Sequence, residues 1–426
     1  MIDFKEFTLD NGLQVIVHED FTTPMAVINV LYDVGSKDEN ENQTGFAHLF
    51  EHLMFSGSVN IPNYDEPLQK VGGENNAFTS PDITNYYLSV PAQNIETGFW
   101  LESDRMLGLA FDEHGLEVQR KVVIEEFKQN YLNQPYGDVW LKLRPLAYEV
   151  HPYKWATIGK EISHIADAQM QDVRNFFNKH YSPINAILVI AGNITFDKAK
   201  ELTEKWFGPI PSGVKYSRNL PQEPTRKKEK IAEHTAKVPL TGIYKAYLMP
   251  GRMDKNYYAA DLLGDIMGRG KSSRLYGKLV KEKKLFNSLS ASCTGSTDTG
   301  LLIIQGKLNK GVDAKEANAA IEAITQEMME NLVNEEELTK VKNQAEASIV
   351  FSEIDLLNRA MNLAYSKLLG DTNLVNQEGE KVQAVTAEDI LTQAKTVLRP
   401  DNCTTLYYYA DPAIASQNVD LSDEEE

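Results

Sequence analysis

Two stretches of the chain, 217 residues apart, follow one plan, and this repetition limits the possible folds more than any other feature of the sequence. Residues 167–180 read as a helix that leads through Pro183 and Asn185 into an apolar run at 186–191. Residues 387–398 read as a helix that leads through Pro400 and Asn402 into an apolar run at 404–410. Each half also places a strand before a helix that stops at glycine: 25–34 then 46–55 before Gly57, and 243–249 then 257–267 before Gly268 and Gly270. Repetition on this scale implies a diverged copy of a whole structural unit. Between the copies, Pro209, Pro211, Gly213, Pro221 and Pro224 leave no periodic apolar pattern. We therefore expect two related domains, 1–212 and 231–426, joined by a linker at 213–230 in which Arg226, Lys227 and Lys228 form a solvated charge run. Strands and helices alternate irregularly within the first half. A strand follows the turn at Asp10, Asn11 and Gly12, a strand pair over 76–90 breaks at Ser80, Pro81 and Asp82, and helices cover 94–108 and 115–132. The expected class is α+β, each domain a sheet with helices packed on it.

Composition excludes several function classes. No apolar stretch approaches the roughly 18 residues that span a bilayer. A formal charge of −18 repels phosphate backbones, so neither a membrane nor a nucleic-acid partner is expected. The only cysteines, Cys293 and Cys403, are too few for a disulfide framework or a Cys-rich metal site, so any metal must use histidine and carboxylate. The first residues resemble neither a signal nor a transit peptide, and the expected compartment is the cytoplasm, or the periplasm if a signal peptide was removed. Asp423 to Glu426 reads as a solubilising tail.

The sharpest chemical signal is His48, Glu51 and His52 in the order H-x-x-E-H. On a helix, His48 and His52 are one turn apart and can reach one metal ion, while Glu51 on the same flank can touch a water on that metal without binding it. This order reverses the commoner H-E-x-x-H zinc motif and gives the same geometry. A catalytic zinc takes three protein ligands, so one more is needed. The helix expected at 116–130 carries Glu117, Glu125 and Glu126. Gln119, Val122 and Val123 lie seven, four and three residues before Glu126, which places Glu126 on the buried side and Glu125 about 100° away in solvent.

These segments together resemble the pitrilysin or insulinase family of zinc peptidases. The resemblance rests on TGFAHLFEHLMFSGS at 44–58, NNAFTSPDITNYY at 75–87 and QRKVVIEE at 119–126, with GRGKSSRLY at 268–276 similar to the family's second-domain signature. It extends over nearly the whole chain, whose length matches the half-size branch that includes the mitochondrial processing peptidases and their bacterial relatives. The resemblance implies two homologous domains, each a mostly antiparallel sheet with helices packed on it, and one Zn2+ per chain. It makes His48, His52 and Glu126 the zinc ligands, Glu51 the general base, and Asn76 with Ala77 part of an edge strand that holds the substrate backbone. Many members carry a glutamate where this chain has Gln119, which can hydrogen-bond a ligand or water but supplies no charge.

The second copy places Asp261, Gly264 and Asp265 where the first has His48, Glu51 and His52, and no zinc is expected there. Active full-size relatives draw an Arg and a Tyr from their second half. No matching pair stands in the strand at 299–307, and Arg274 and Tyr276 fall in a helix signature. The implied protein is a metalloendopeptidase that cleaves peptides or unfolded segments in a closed chamber. It works as a homodimer, or as a heterodimer with a family subunit supplying the Arg and Tyr. The alternative is a non-catalytic scaffold or partner subunit of such an assembly.

Overall fold

A computed structural model describes residues 1–411 of the chain, and the acidic run at Asp423 to Glu426 lies outside them. The described residues divide into two compact units. One comprises residues 1–132, 151–221 and 348–378, and the other 133–150, 222–347 and 379 onward. The chain thus crosses between units within the expected linker, at 221 and 222, and each unit also takes one segment from the other's half of the sequence.

The strands are β1 (Lys5–Thr8), β2 (Gln14–Glu19), β3 (Met25–Tyr32), β4 (Glu74–Thr79), β5 (Thr84–Pro91), β6 (Ala186–Gly192), β7 (Lys230–Ala236), β8 (Gly242–Met249), β9 (Phe286–Cys293), β10 (Gly300–Leu308) and β11 (Cys403–Ala410). The helices are α1 (Phe46–Leu53), α2 (Asp65–Lys70), α3 (Ile95–Leu107), α4 (Glu113–Phe127), α5 (Val139–Ala147), α6 (Ile162–Ala166), α7 (Met170–His180), α8 (Phe196–Phe207), α9 (Tyr257–Gly268), α10 (Ala314–Glu330), α11 (Glu335–Ser352), α12 (Leu356–Leu368), α13 (Leu374–Ala384) and α14 (Ala387–Val397).

The first unit is built on the sheet β1-β2-β6-β3-β5-β4. Its central strands read as nearly unbroken apolar runs because both faces are covered. Val27 and Leu31 of β3 meet Ala360, Leu363 and Ala364 of α12 on one face. On the other face α3 comes close enough at Gly98 that a Cβ there would lie 2.8 Å from Leu88 and 2.9 Å from Ile28. β4 closes one edge, and its exposure alternates along the strand as expected for one with a single covered face.

The second unit is built on the sheet β7-β11-β8-β10-β9. Set against the first sheet without β1, the two share strand order and sense. A parallel pair (β2 with β6, β7 with β11) is followed by three antiparallel pairings. α1 follows β3 as α9 follows β8, which is the duplication legible in the sequence. α9 lies against β9 so tightly that a Cβ at Gly268 would stand 1.9 Å from the Ala291 nitrogen, which is why that helix ends in glycine.

The linker expectation needs one correction. Residues 211–229 carry no regular secondary structure, but Arg226 is not solvated: it is buried and donates to the Thr404 hydroxyl and to the carbonyl of Ala147. Backbone carbonyls left over at the end of α5 need a donor, and the guanidinium provides one. No helix among the described residues is long and apolar enough to cross a membrane.

Candidate metal centre

α1 begins at Gly45, whose left-handed φ of 87° suits glycine, and a Cβ there would stand 2.7 Å from the Ile158 carbonyl oxygen. Ahead of it, the Glu39 carboxylate accepts from the N–H groups of Gly45 (3.0 Å) and Ala47 (2.8 Å), filling donors that the first turn leaves open. Burial pushes the Glu39 carboxyl up to about 8, against the pull of those two N–H groups. Leu49 and Phe50 anchor the inner face of the helix, with Phe50 stacked on Tyr181 at 5.1 Å and against Phe176 at 5.0 Å. The outer flank carries His48, Glu51 and His52, all half-buried.

α4 starts at Asp112, whose side chain accepts from the Gly115 N–H, and is seated by Leu116, Val123 and Phe127. Glu126 flanks this buried stripe and reaches α1. Its Oε2 lies 3.6 Å from His48 Nε2 and 3.4 Å from His52 Nε2, and the two imidazole rings stand 4.9 Å apart at 87°. Among the described residues these three are the one group of histidine, cysteine or acidic side chains whose ligand atoms come together in a metal-holding set, all within 4.8 Å of one another. The separations are long for hydrogen bonds, whose N···O distances centre near 2.9–3.0 Å. They match the roughly 3.3 Å edge of a tetrahedron whose corners lie about 2.05 Å from a zinc ion. The donor set, two imidazoles and a carboxylate with no thiolate, is one zinc accepts while leaving a fourth position open. Burial, with the neighbouring His52 adding to it, pushes the His48 imidazole down to about 4, so at neutral pH it carries no proton to compete with a metal. The group fits the residues present.

Glu51 stands beside the cluster without joining it. Burial raises its carboxyl above the usual range, while its Oε2 accepts from the Thr79 hydroxyl at 2.6 Å. Gln119 reaches the site indirectly: its Nε2 donates to Ser56 Oγ at 3.0 Å, and that hydroxyl lies 3.5 Å from the His52 carbonyl oxygen. Asn76 and Ala77 sit on β4, at the sheet edge beside α1, where the Asn76 side-chain oxygen accepts from the Ala77 N–H at 2.8 Å. Tyr86 is fully buried in the core, whereas Tyr87 is partly covered.

Glu125 is solvent-facing and paired with Lys128. Val122, used above as a marker of the buried side, is exposed instead, and so is Val118. The buried line of α4 passes through Leu116, Val123 and Phe127, so Gln119 and Glu126 lie on its shoulder. Two groups escaped the sequence reading, Glu39 and Thr79. Thr79 was within reach, because strand alternation puts it on the same face as Ala77.

In the second unit, α9 carries Asp261 and Asp265 at the positions of the two histidines. Asp265 pairs with Arg269 at 2.9 Å. Burial, then the charge of Asp265, pushes Asp261 up to about 6 from 3.8. A carboxyl with a raised folded-state pKa prefers its proton, so the penalty on the fold grows as pH rises through about 4 to 6 and is full above that. Asp261→Asn should therefore stabilise the chain against urea by about 1–3 kcal/mol at pH 7.5 and have little effect at pH 4. An equal gain at both values would refute this account. Arg274, in the helix signature, is bound by Glu337 and Glu327.

Residues 14–153 match the family described as Insulinase (Peptidase family M16), and residues 167–345 match the Peptidase M16 inactive domain. His48, Glu51, His52 and Glu126 all fall in the first match; Asp261 and Asp265 fall in the second. The chain is 30% identical over 352 residues to zinc protease PqqE of Helicobacter pylori, covering 81% of this chain and 79% of that protein. It is 26% identical to the uncharacterized zinc protease YmxG of Bacillus subtilis, over 94% of this chain and 97% of that one. The crystal structure of a protease from Helicobacter pylori superposes with a TM-score of 0.89 at 26% identity, covering 96% of this chain and all of that one.

Proposed function

The chain belongs to the insulinase family, peptidase family M16, whose members similar to it are named zinc proteases, and from that premise we propose that it is itself a zinc endopeptidase acting on peptides or unfolded segments. The observation that carries this reading is the convergence of His48, His52 and Glu126 on one point, with the Glu51 carboxylate beside it. A zinc ion held by the three ligands would supply Lewis acidity, drawing the pKa of water from about 15.7 toward about 7 and polarising the scissile carbonyl.

The remaining steps belong to the chain's own side chains. Glu51 takes the proton of the attacking water, a transfer its burial favours by lifting its basicity, and returns that proton to the departing amine. Asn76 and Ala77, on the outer strand, hold the substrate backbone as an added strand. Such capture gives affinity without demanding particular side chains. Gln119 steadies the end of α1 through Ser56. Two chains, or this chain and a different family subunit that brings an Arg and a Tyr, enclose the peptide in a chamber.

Purified chain should carry about one zinc, and His52→Ala should lose it along with peptide hydrolysis. Metal analysis and a peptide-library assay, run on the chain alone and with candidate partner subunits, check both. A metal-free wild-type chain that regains no activity with added zinc would instead support the scaffold reading. Activity of the chain by itself would dismiss an obligate heterodimer.

A further inference from the structure

We propose that Thr79, the last residue of β4, is a positioning residue that aims the Glu51 carboxylate, linking the strand that receives substrate to the group that moves the proton. This rests on the reading of Glu51 as general base.

Three observations meet here. The first is direct contact: Thr79 Oγ1 donates to Glu51 Oε2 at 2.6 Å, within the range of a short charge-assisted hydrogen bond. The second is register. Asn75, Ala77 and Thr79 alternate with exposed Glu74, Asn76 and Phe78, so Thr79 shares the half-buried face of β4 with Ala77. Thr79 pairs with Thr84 at the end of the hairpin, two residues beyond Ala77. The third is that the turn beyond Thr79 holds itself together. Ser80 Oγ accepts from the N–H groups of Asp82 and Ile83, and the Asp82 carboxylate is held by Lys37 at 2.7 Å and by the Tyr153 hydroxyl. The Thr79 hydroxyl is therefore not needed to close the hairpin, and the hydrogen bond it makes goes to the Glu51 carboxylate.

A carboxylate on a two-carbon arm is otherwise free to rotate away from the reacting water. Fixing one oxygen restricts that rotation and presents a defined face to the proton, which lowers the entropic part of the barrier. Any shift of β4 as a peptide docks along it would reach Glu51 through this bond. Thr79 itself exchanges no proton. The water's O–H breaks to Glu51, the carbonyl carbon gains oxygen as the C–N bond breaks, and the same proton leaves on the amine.

The test uses the zinc-loaded chain in its active assembly with a quenched fluorescent peptide. Thr79→Val keeps the branched shape and the backbone N–H but removes the hydroxyl. It should lower kcat about 10- to 100-fold, leave KM within about 2-fold and leave zinc content unchanged. Thr79→Ser should lie within about 3-fold of wild type. In crystals of the metal-free proteins, the Glu51 carboxylate should hold one orientation in wild type and more than one in Thr79→Val. If Thr79→Val fails to fold, Thr79→Ala is read by the same criteria. Wild-type kcat in the Val variant, a loss confined to KM, or no recovery with Ser each overturns the proposal. Glu51→Gln, measured alongside, separates the two claims. If it is inactive while Thr79→Val is fully active, only the Thr79 proposal falls. If it retains wild-type turnover, the reading of Glu51 falls and the proposal with it.

Discussion

A Glu51→Gln chain is expected to load zinc as the wild type does and to hydrolyse peptides at least about 1,000-fold more slowly. The amide has the size of the carboxylate and can still accept from the Thr79 hydroxyl, so α1 and its two histidines keep their places. What it cannot do is take a proton at neutral pH. General-base assistance alone is worth about 100- to 10,000-fold, and in the proposed mechanism the same group also returns the proton, so the upper part of that range applies. Metal analysis paired with turnover at saturating peptide checks both halves of the expectation. Full zinc occupancy with unchanged turnover would show that another group carries the proton.

The second large effect is on stability. Arg105 is 1% exposed and paired with Glu102, itself 2% exposed, beneath the site. Its guanidinium lies 4.3 Å from the Tyr64 ring, 4.6 Å from Tyr86 and 5.0 Å from Phe55. Phe55 follows the end of α1 and Tyr86 lies on β5, paired with Ala77 of β4, so one cation ties the end of α1 to the strand beside β4. Arg105→Leu removes the cation and strands the Glu102 carboxylate in the core, which should cost about 3–5 kcal/mol. Adding Glu102→Leu should recover part of that loss, because the stranded charge rather than the lost attraction dominates the penalty. Urea midpoints of the two variants decide it. A single substitution costing less than about 1 kcal/mol, or a double one worse than the single, would contradict this assignment.

Local pattern made the centre of the site readable in advance. His48 and His52 are one helical turn apart whatever surrounds them, and the apolar Leu49 and Phe50 between them declare which side faces inward. The duplication was also visible, through the helix-to-strand passages at Pro183 and Pro400, whereas the shared strand order emerged only from the pairing of distant segments. Features set by tertiary contact were not. Val122 has the character of a core residue, yet its place on α4 depends on where the neighbouring elements end, and it faces outward. Arg226 looks like one of three linker cations until the carbonyls at the end of α5 are seen to need its donors. Glu39 sits nine residues before His48 with no periodic relation to it, and only the fold brings it to the start of α1.

The placement of α12 bears on how the polypeptide matures as it is made. Ala360, Leu363 and Ala364 complete the apolar layer under β3 and β6, although more than 120 residues separate them from the linker. While the ribosome is still adding the residues between, that layer stands open and its apolar side chains face water. The first unit thus closes only after residue 378 or so has emerged, and the half of the sequence that carries His48, His52 and Glu126, cut free at the linker, would lack the helix that seals it.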